Sequence, residues 1–444
     1  MTRLSGIPVV PGLPVIGSAL DLALRPHAFL SDLPRYGDLS AARLGPTRAF
    51  FVSHPDLVHQ MLVTDADRYA RGRIFEKIKP LLGEGLVMSD GAFHRRQRRM
   101  VCPAFRHSRL VAYAGVIQDV AERRVSAWAP GRPLDLVREL QELGFDVASN
   151  LLFSDGIDPQ VMAVIRRSFP TVLASVMRRT LAPTDLYEKI PTRANRAFAT
   201  AARELHEAVD TVVARYRERG GDGDDLFSAL LAARDKQTGR PMTDRQIHDE
   251  VVSVLTAGGE TTGTALTWAA HFVSHRPEVA ERLSREVDEV LHGKPARHES
   301  LADLVYTRRV VTETLRLYPP VWMLTRQAVT DTRLGGHAIP AGSTLFHSSY
   351  AIQRDPRFFT RPHDFDPDRW LPERVGPAQR HAYMPFGRGV HGCVGEQVGW
   401  MELVIVLSTI ARLWRLVPVP GAPVRPVFRT NVLPRRLLVI PEPR

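Results

Sequence analysis

Cys393 sits in the run Phe386-Gly387-Arg388-Gly389-Val390-His391-Gly392-Cys393-Val394-Gly395, one thiol among glycines with an aromatic seven residues before it. Glycines at this density let a backbone turn through positive φ and approach a flat partner closely. An apolar, helix-like stretch follows. A thiol just ahead of a helix lies near unpaired N–H groups and the positive dipole end, which favours the thiolate. Such a loop suits a metal bound through sulfur and lying against backbone, and haem iron with one axial Cys fits that description.

Three further sets can carry or support chemistry. Ala257-Gly258-Gly259-Glu260-Thr261-Thr262 places two glycines beside a carboxylate and a hydroxyl. Each mid-helix glycine costs about 1 kcal/mol relative to Ala. Room for a small ligand, with Glu260 and Thr261 relaying protons beside it, would offset that loss. A helix packed closely on a neighbour through its glycines, with Glu260 in an incidental salt bridge, would serve equally. Glu313 and Arg316 stand at i and i+3 on one helix face. Exposed pairs of this kind contribute little, but Leu315-Leu317-Tyr318-Pro319-Pro320 implies a helix ending inside the protein. A buried pair needs further partners, and Arg369 in Phe365-Asp366-Pro367-Asp368-Arg369-Trp370 is a candidate. In His94-Arg95-Arg96-Gln97-Arg98-Arg99, His94 and Arg98 share a face and can clamp carboxylates, the other arginines pointing outward. A solvated basic face is the plainer alternative.

These sets need a large scaffold. Length alone allows about three domains in 444 residues, but no linker separates them, so one domain is expected. The periodicity is mostly helical from about Asp56 to Ala214, with small hairpins expected around Gly45-Pro46, across Thr332–Phe346 and between Leu416 and Ile440. Gly220-Gly221-Asp222-Gly223-Asp224-Asp225 reads as a flexible acidic loop. Thr243 with Gln246 forms a capping box, and Pro277 stops the helix that begins there. Its apolar faces put it in the interior. The fold class is therefore mainly α with small β-sheets.

Composition is that of an ordinary globular chain, 44% hydrophobic and 24% charged. Two cysteines, Cys102 and Cys393, cannot build a disulfide framework, and no signal peptide or apolar run of about 20 residues is present. A cytoplasmic monomer without a membrane span is expected. The net charge of +11 could serve nucleic acid, an anionic membrane or an acidic protein; no nucleic-acid motif accompanies it, and an acidic protein partner is expected.

Together these motifs, in this order across nearly the whole chain, resemble a cytochrome P-450 (haem-thiolate) monooxygenase of the bacterial soluble type. Phe386, Gly389, His391, Cys393 and Gly395 match the ligand loop, with His391 where many members have Arg. Ala257, Gly258, Glu260, Thr261 and Thr262 match the oxygen-activation stretch, in which Asp is commoner than Glu. Glu313 and Arg316 match the Glu-x-x-Arg pair, and Arg369 its third member. The resemblance implies haem b lying between the long central helix and the Cys-ligand helix. Cys393 would be the iron ligand, and Phe386, Gly387 and Gly395 would line its loop. His94, Arg98, Arg326 and His391 would hold the propionates, and Ala257 and Gly258 would face the cofactor. Thr261 and Glu260 would act in catalysis, and Cys102 would be a buried structural thiol.

The implied reaction is hydroxylation or epoxidation of a lipophilic small molecule by O2. Ferredoxin and ferredoxin reductase would supply electrons through Arg95, Arg96, Arg99 and Arg106. The expected pocket is lined by Ile74–Val87, Ser168–Met177, Leu255–Thr261, Val321–Leu324 and Thr430–Leu433, with Phe169 and Trp322 adding aromatic surface. Their mostly aliphatic character fits a terpene or polyketide; Arg71, Arg73, Lys77 and Lys79 would instead admit a fatty acid. Peroxide-driven or non-oxygenating haem-thiolate chemistry is the other enzyme class, and a haem sensor a third.

Overall fold

The computed structural model describes residues 6–154, 157–181, 190–218 and 225–444, and they group into two compact units. The smaller unit holds residues 1–78, 176–190 and 316–393, and the larger the remainder. The expected loop at 220–224 lies outside the described residues. Asp225 is not part of a flexible loop: it is buried, and its carboxylate caps helix Leu226–Ala232 by accepting the Ser228 N–H at 2.8 Å.

The smaller unit is built on a five-stranded sheet in the order Leu39–Leu44, Thr47–Val52, Thr344–His347, Leu324–Ala328, Tyr69–Ala70. The first pair is the hairpin expected at Gly45-Pro46, with Gly45 at φ +62°. Thr47–Val52 then pairs in parallel with Thr344–His347, a join across nearly 300 residues of chain that no local pattern announces. Phe50, Val52, Leu345 and Ala328 pack with Met61, Leu62, Phe359 and Met384 into one apolar core beneath the sheet. The Gly335-Gly336 hairpin forms between Thr332–Leu334 and His337–Ile339.

The larger unit is helical around Asp244–Ser274, a helix of 31 residues that spans about 46 Å. Its start is the expected capping box: Thr243 N–H donates to Gln246 Oε1 at 2.8 Å, and Gln246 N–H to Thr243 Oγ1 at 3.3 Å. Most of its residues from Ile247 to Val273 are buried. Helices His107–Ser126, Leu136–Leu152 and Glu396–Leu413 belong to the same unit. Strand Leu438–Pro443 pairs with Trp414–Pro418, and a small hairpin joins Pro426–Phe428 to Val432–Pro434.

The central glycines divide between the two readings left open above. A Cβ on Gly259 would lie 2.6 Å from Phe145 Cδ1, and one on Gly144 would lie 2.3 Å from the Gly259 carbonyl oxygen. Gly263 likewise meets the Leu140 carbonyl. These three glycines form a seam that lets helices 136–152 and 244–274 touch through backbone. Gly258 differs: its Cβ would meet only Ala148 Cβ, at an ordinary 3.4 Å. We expect Gly259→Ala to lower stability by about 1–3 kcal/mol through overpacking. Gly258→Ala should instead raise it by up to about 1 kcal/mol. Urea unfolding midpoints of the two variants check this.

Candidate active site

Cys393 is exposed and closes its loop by donating its backbone N–H to the Phe386 carbonyl at 2.9 Å. Gly387 and Gly389 turn the chain at φ +69° and +68°. A Cβ on Gly389 would fall 1.9 Å from the Leu62 carbonyl oxygen, so only glycine fits there. Phe386, Gly387, His391 and Gly395 are half-buried around the thiol's loop, and helix Glu396–Leu413 begins three residues beyond it, with Gly395 at its N-cap.

A buried polar network supports this loop from behind. Arg316 is fully buried and donates to the carbonyls of Gln353 (2.8 Å), Pro362 (2.7 Å) and Asp364 (3.0 Å). Gln353 Nε2 returns a bond to the Arg316 carbonyl at 2.9 Å, and its Oε1 accepts the Met384 N–H at 2.7 Å. Met384 precedes Phe386 by two residues, so the network ends at the root of the Cys393 loop. Arg369 is also buried and donates to the carbonyls of Thr360 (2.6 Å) and Arg361 (3.1 Å). Glu313 is fully buried and belongs to the larger unit. The weak surface reading of Glu-x-x-Arg is therefore set aside. Gln353 went unnoticed in the sequence because nothing local marks a glutamine as a bridge.

Arg326 is buried in strand Leu324–Ala328, with Nη1 donating to its neighbour's carbonyl, Thr325 O, at 2.7 Å. The pairing of Leu324 with His347 and of Arg326 with Leu345 puts Arg326 and His347 diagonally on one face. Burial, and then the Arg326 charge, hold the His347 imidazole down to about 3, so it is neutral at ordinary pH. Both its ring nitrogens are buried without a hydrogen-bond partner among the described residues.

In the larger unit the central helix is buried over most of its length. Val254, Ala257, Gly258 and Thr261, spaced three and four apart, are half-exposed and uncharged, and Thr256 and Glu260 beside them are half-exposed too. The Thr261 hydroxyl donates to the Ala257 carbonyl at 2.6 Å, which leaves its oxygen able to accept. Among the described residues the Glu260 carboxyl has no cation beside it; in place of the alternative salt bridge it takes a hydrogen bond from buried Asn431, in the turn of the 426–434 hairpin. Burial pushes this carboxyl up to about 7, and the Asn431 contact only partly opposes it. Trp268 Nε1–H donates to Val432 O at 2.7 Å and fixes the same turn on the helix.

Glu402 is a second carboxyl that sequence reasoning passed over. Burial raises it to about 8, and it contacts Thr262. Thr262 gives its only hydroxyl proton to Gly258 O at 2.9 Å, so the contact is best made by a neutral Glu402 donating to Thr262. The signal was present: one acid inside the apolar run Met401-Glu402-Leu403-Val404.

The basic turn comes out mixed. His94 is buried and Arg98 half-buried on helix Gly91–Val101, while Arg95, Arg99 and Arg106 are exposed. Arg96 does not join them, because its guanidinium is paired with the buried Asp235 carboxylate. Cys102 is half-buried rather than buried. Of the expected pocket residues, Trp322 is buried, and Arg71 is buried with its guanidinium over the Phe75 ring rather than open to an entrance. The side chains of Arg73, Ile74, Lys77 and Phe169 lie outside the described residues.

The residues present fit haem. Among the described residues no three His, Cys, Asp or Glu side chains gather to hold a bare ion. An ion at Cys393 must therefore bring its remaining ligands, as a macrocycle does. In the smaller unit a buried Arg326 on the same sheet face as His347, whose ring nitrogens have no partner among the described residues, suits an anionic group such as a propionate.

A family model described as Cytochrome P450 matches residues 7–444. The chain belongs to the cytochrome P450 family. It is 43% identical over 434 residues to cyclooctatin synthase of Streptomyces melanosporofaciens, covering 98% of this chain and 95% of that one. Pentalenene oxygenase of Streptomyces avermitilis is 37% identical over 429 residues, with 96% and 95% covered. Among solved structures, the heme domain of cytochrome P450DA superposes with a TM-score of 0.86 at 25% identity, covering 99% of this chain and 98% of that one. The mainly helical P450 fold and the haem-iron cofactor follow.

Proposed function

We propose that this cytochrome P450 monooxygenase oxygenates a terpene skeleton, by hydroxylation or epoxidation, and that its two units work as one catalytic domain. The observation that carries the substrate reading is the half-exposed surface of Val254, Ala257 and Gly258, which with its neighbours Thr261 and Glu260 offers apolar area and no cation to pair with a carboxylate. Relatives named for cyclooctatin, cyclooctat-9-en-7-ol and pentalenene support it. Cys393 would hold haem b, with His94, Arg98, Arg326 and His391 at its propionates, and the group would supply the activation of O2.

The chain's own residues bind, exclude water and handle protons. Ala257 and Gly258 keep the helix surface low enough for a bulky apolar substrate. Glu260, near neutrality and with a neutral amide as partner, can both hold and release a proton at ordinary pH. The Thr261 hydroxyl, its own proton given to the Ala257 carbonyl, can accept a hydrogen bond from a protonated group beside it. Electrons come from a ferredoxin and its reductase, the acidic ferredoxin meeting the exposed Arg95, Arg99 and Arg106. The protein works in the cytoplasm as a monomer; no described helix is long and apolar enough to cross a membrane.

The test is a titration of the haem-loaded protein with fused-ring terpene hydrocarbons, terpene alcohols and fatty acids, followed by turnover with ferredoxin, reductase and NADPH. Terpenes should shift the haem spin state and be oxygenated. A shift only with fatty acids, or turnover only with peroxide, overturns the reading.

A pH prediction follows from Glu260. Its donor form is the protonated one, so the fraction of NADPH electrons recovered as product should fall as pH rises through about 7. Glu260→Gln should be roughly 10²-fold slower and show no such dependence. Peroxide release measured against product across pH checks both. The same shift makes the fold lose stability as pH rises from the ordinary carboxylate range toward 7, since the buried neutral form is the one the fold favours.

A further inference from the structure

The N-terminal stretch of the smaller unit exposes an unusual amount of apolar surface. Val9, Leu13, Val15, Ile16, Leu20 and Leu24 are all exposed large hydrophobics, with Val15 at 78% and Leu24 at 70%. Leu20 and Leu24 stand at i and i+4 on helix Ala19–Leu24, on the side opposite buried Leu22. Val15 is held at φ +64°, a conformation that strains a β-branched residue. The strain presents an aliphatic side chain to solvent.

This surface is bridged to a strand pair that carries its charge. Ser18 N–H donates to Arg43 O at 2.7 Å, and Val10 N–H to Ala41 O at 2.8 Å. Arg43 and Arg48 are direct cross-strand partners in the 39–52 hairpin. Both are exposed, and neither makes a hydrogen bond or ion pair among the described residues. Two like charges opposite each other destabilise a hairpin unless an anion lies between them. Both arginines line an open cleft of about 600 Å³ whose other wall is Val9–Pro14. The one acid on helix Ala19–Leu24, Asp21, is already neutralised by Arg25 at 2.6 Å.

We propose that this face docks on an anionic lipid bilayer, Arg43 and Arg48 meeting headgroup phosphates and Leu13, Val15, Ile16, Leu20 and Leu24 entering the acyl boundary. Isolated apolar side chains are ordinary on a protein surface, but six exposed ones between Val9 and Leu24, two of them lining a cleft with Arg43 and Arg48, match an interfacial anchor. The chain's net charge of +11 favours the same surface over a neutral one. Docking is peripheral and places the protein where a lipophilic substrate is concentrated. It rests on the smaller unit alone and stands whether or not the terpene reading does.

The test is co-sedimentation of the haem-loaded full chain with phosphatidylcholine vesicles, with or without phosphatidylglycerol. Binding should be at least tenfold tighter to the anionic vesicles and weaken at high salt. Arg43→Glu with Arg48→Glu should weaken it roughly 30-fold or more, from about 1 kcal/mol for each lost cation. Val15→Gly should also weaken binding while its melting temperature holds or rises, because glycine accepts φ +64° without strain. That variant separates docking from misfolding. No binding to anionic vesicles, or equal binding by all variants, overturns the proposal. So does loss of binding in millimolar inorganic phosphate, which would mark a free-anion site. Self-association removed by the same substitutions would assign the face to a second copy instead.

Discussion

Cys393→Ser should abolish the thiolate-type carbon monoxide spectrum and lower turnover by roughly 10³-fold or more, the scale expected when a group at the centre of the chemistry is removed. The loop itself should survive, because its shape depends on Gly387, Gly389 and the Cys393 N–H to Phe386 O bond rather than on the sulfur. A serine hydroxyl ionises far less readily than a thiol and does not reproduce the sulfur's electron donation. Cys102→Ser is the control: Cys102 is half-buried, lies in the short turn Cys102–Phe105, and should leave spectrum and turnover unchanged. Retention of the thiolate spectrum in Cys393→Ser, or its loss in Cys102→Ser, would reverse the ligand assignment. Spectra of the two purified variants decide it.

Arg316→Leu should leave little soluble, haem-loaded protein. The substitution strips a buried carbonyl on Gln353 and two part-buried ones on Pro362 and Asp364 of their common donor. It also removes a cation lying 5.2 Å from the Phe359 ring centre. An orphaned buried carbonyl costs about 1–3 kcal/mol and a part-buried one less, so the sum is a large share of the stability of a typical domain. Arg316→Lys keeps the charge but not the fork that reaches three acceptors, and should recover only part of the loss. Gln353→Leu is milder, about 2 kcal/mol, and should act on the Cys393 loop through Met384 N–H. Denaturant midpoints and haem content measured together test the series. A loss under about 1 kcal/mol for Arg316→Leu would mean that Arg316 behaves as a surface residue.

What could be read along the chain was chemistry expressed within a few residues. The glycine-rich thiol loop, the Thr243–Gln246 box and the stop at Pro277 each depend on neighbours close in sequence, and each stands in the structure as expected. The family followed from the order of such motifs. The pairing of Thr47–Val52 with Thr344–His347 did not, because register between distant strands is set by a shared core and leaves no local trace.

The same division runs through the site. The sequence by itself singled out one thiol, one acid–hydroxyl pair and one Glu-x-x-Arg as the candidates to serve an oxygen-activating haem protein, because the chemistry of such groups is legible from residue type and spacing. Only the tertiary structure decided that Gly259 has no room for a side chain while Gly258 has room for one, since the two are identical until Phe145 approaches one of them. It alone gave Glu260 a neutral amide, Asn431, in place of a cation, and took Arg96 out of the proposed docking face by setting Asp235 beside it. Partners far apart in the chain set burial and pairing, and these fix whether a carboxyl is charged and whether an arginine is free to bind.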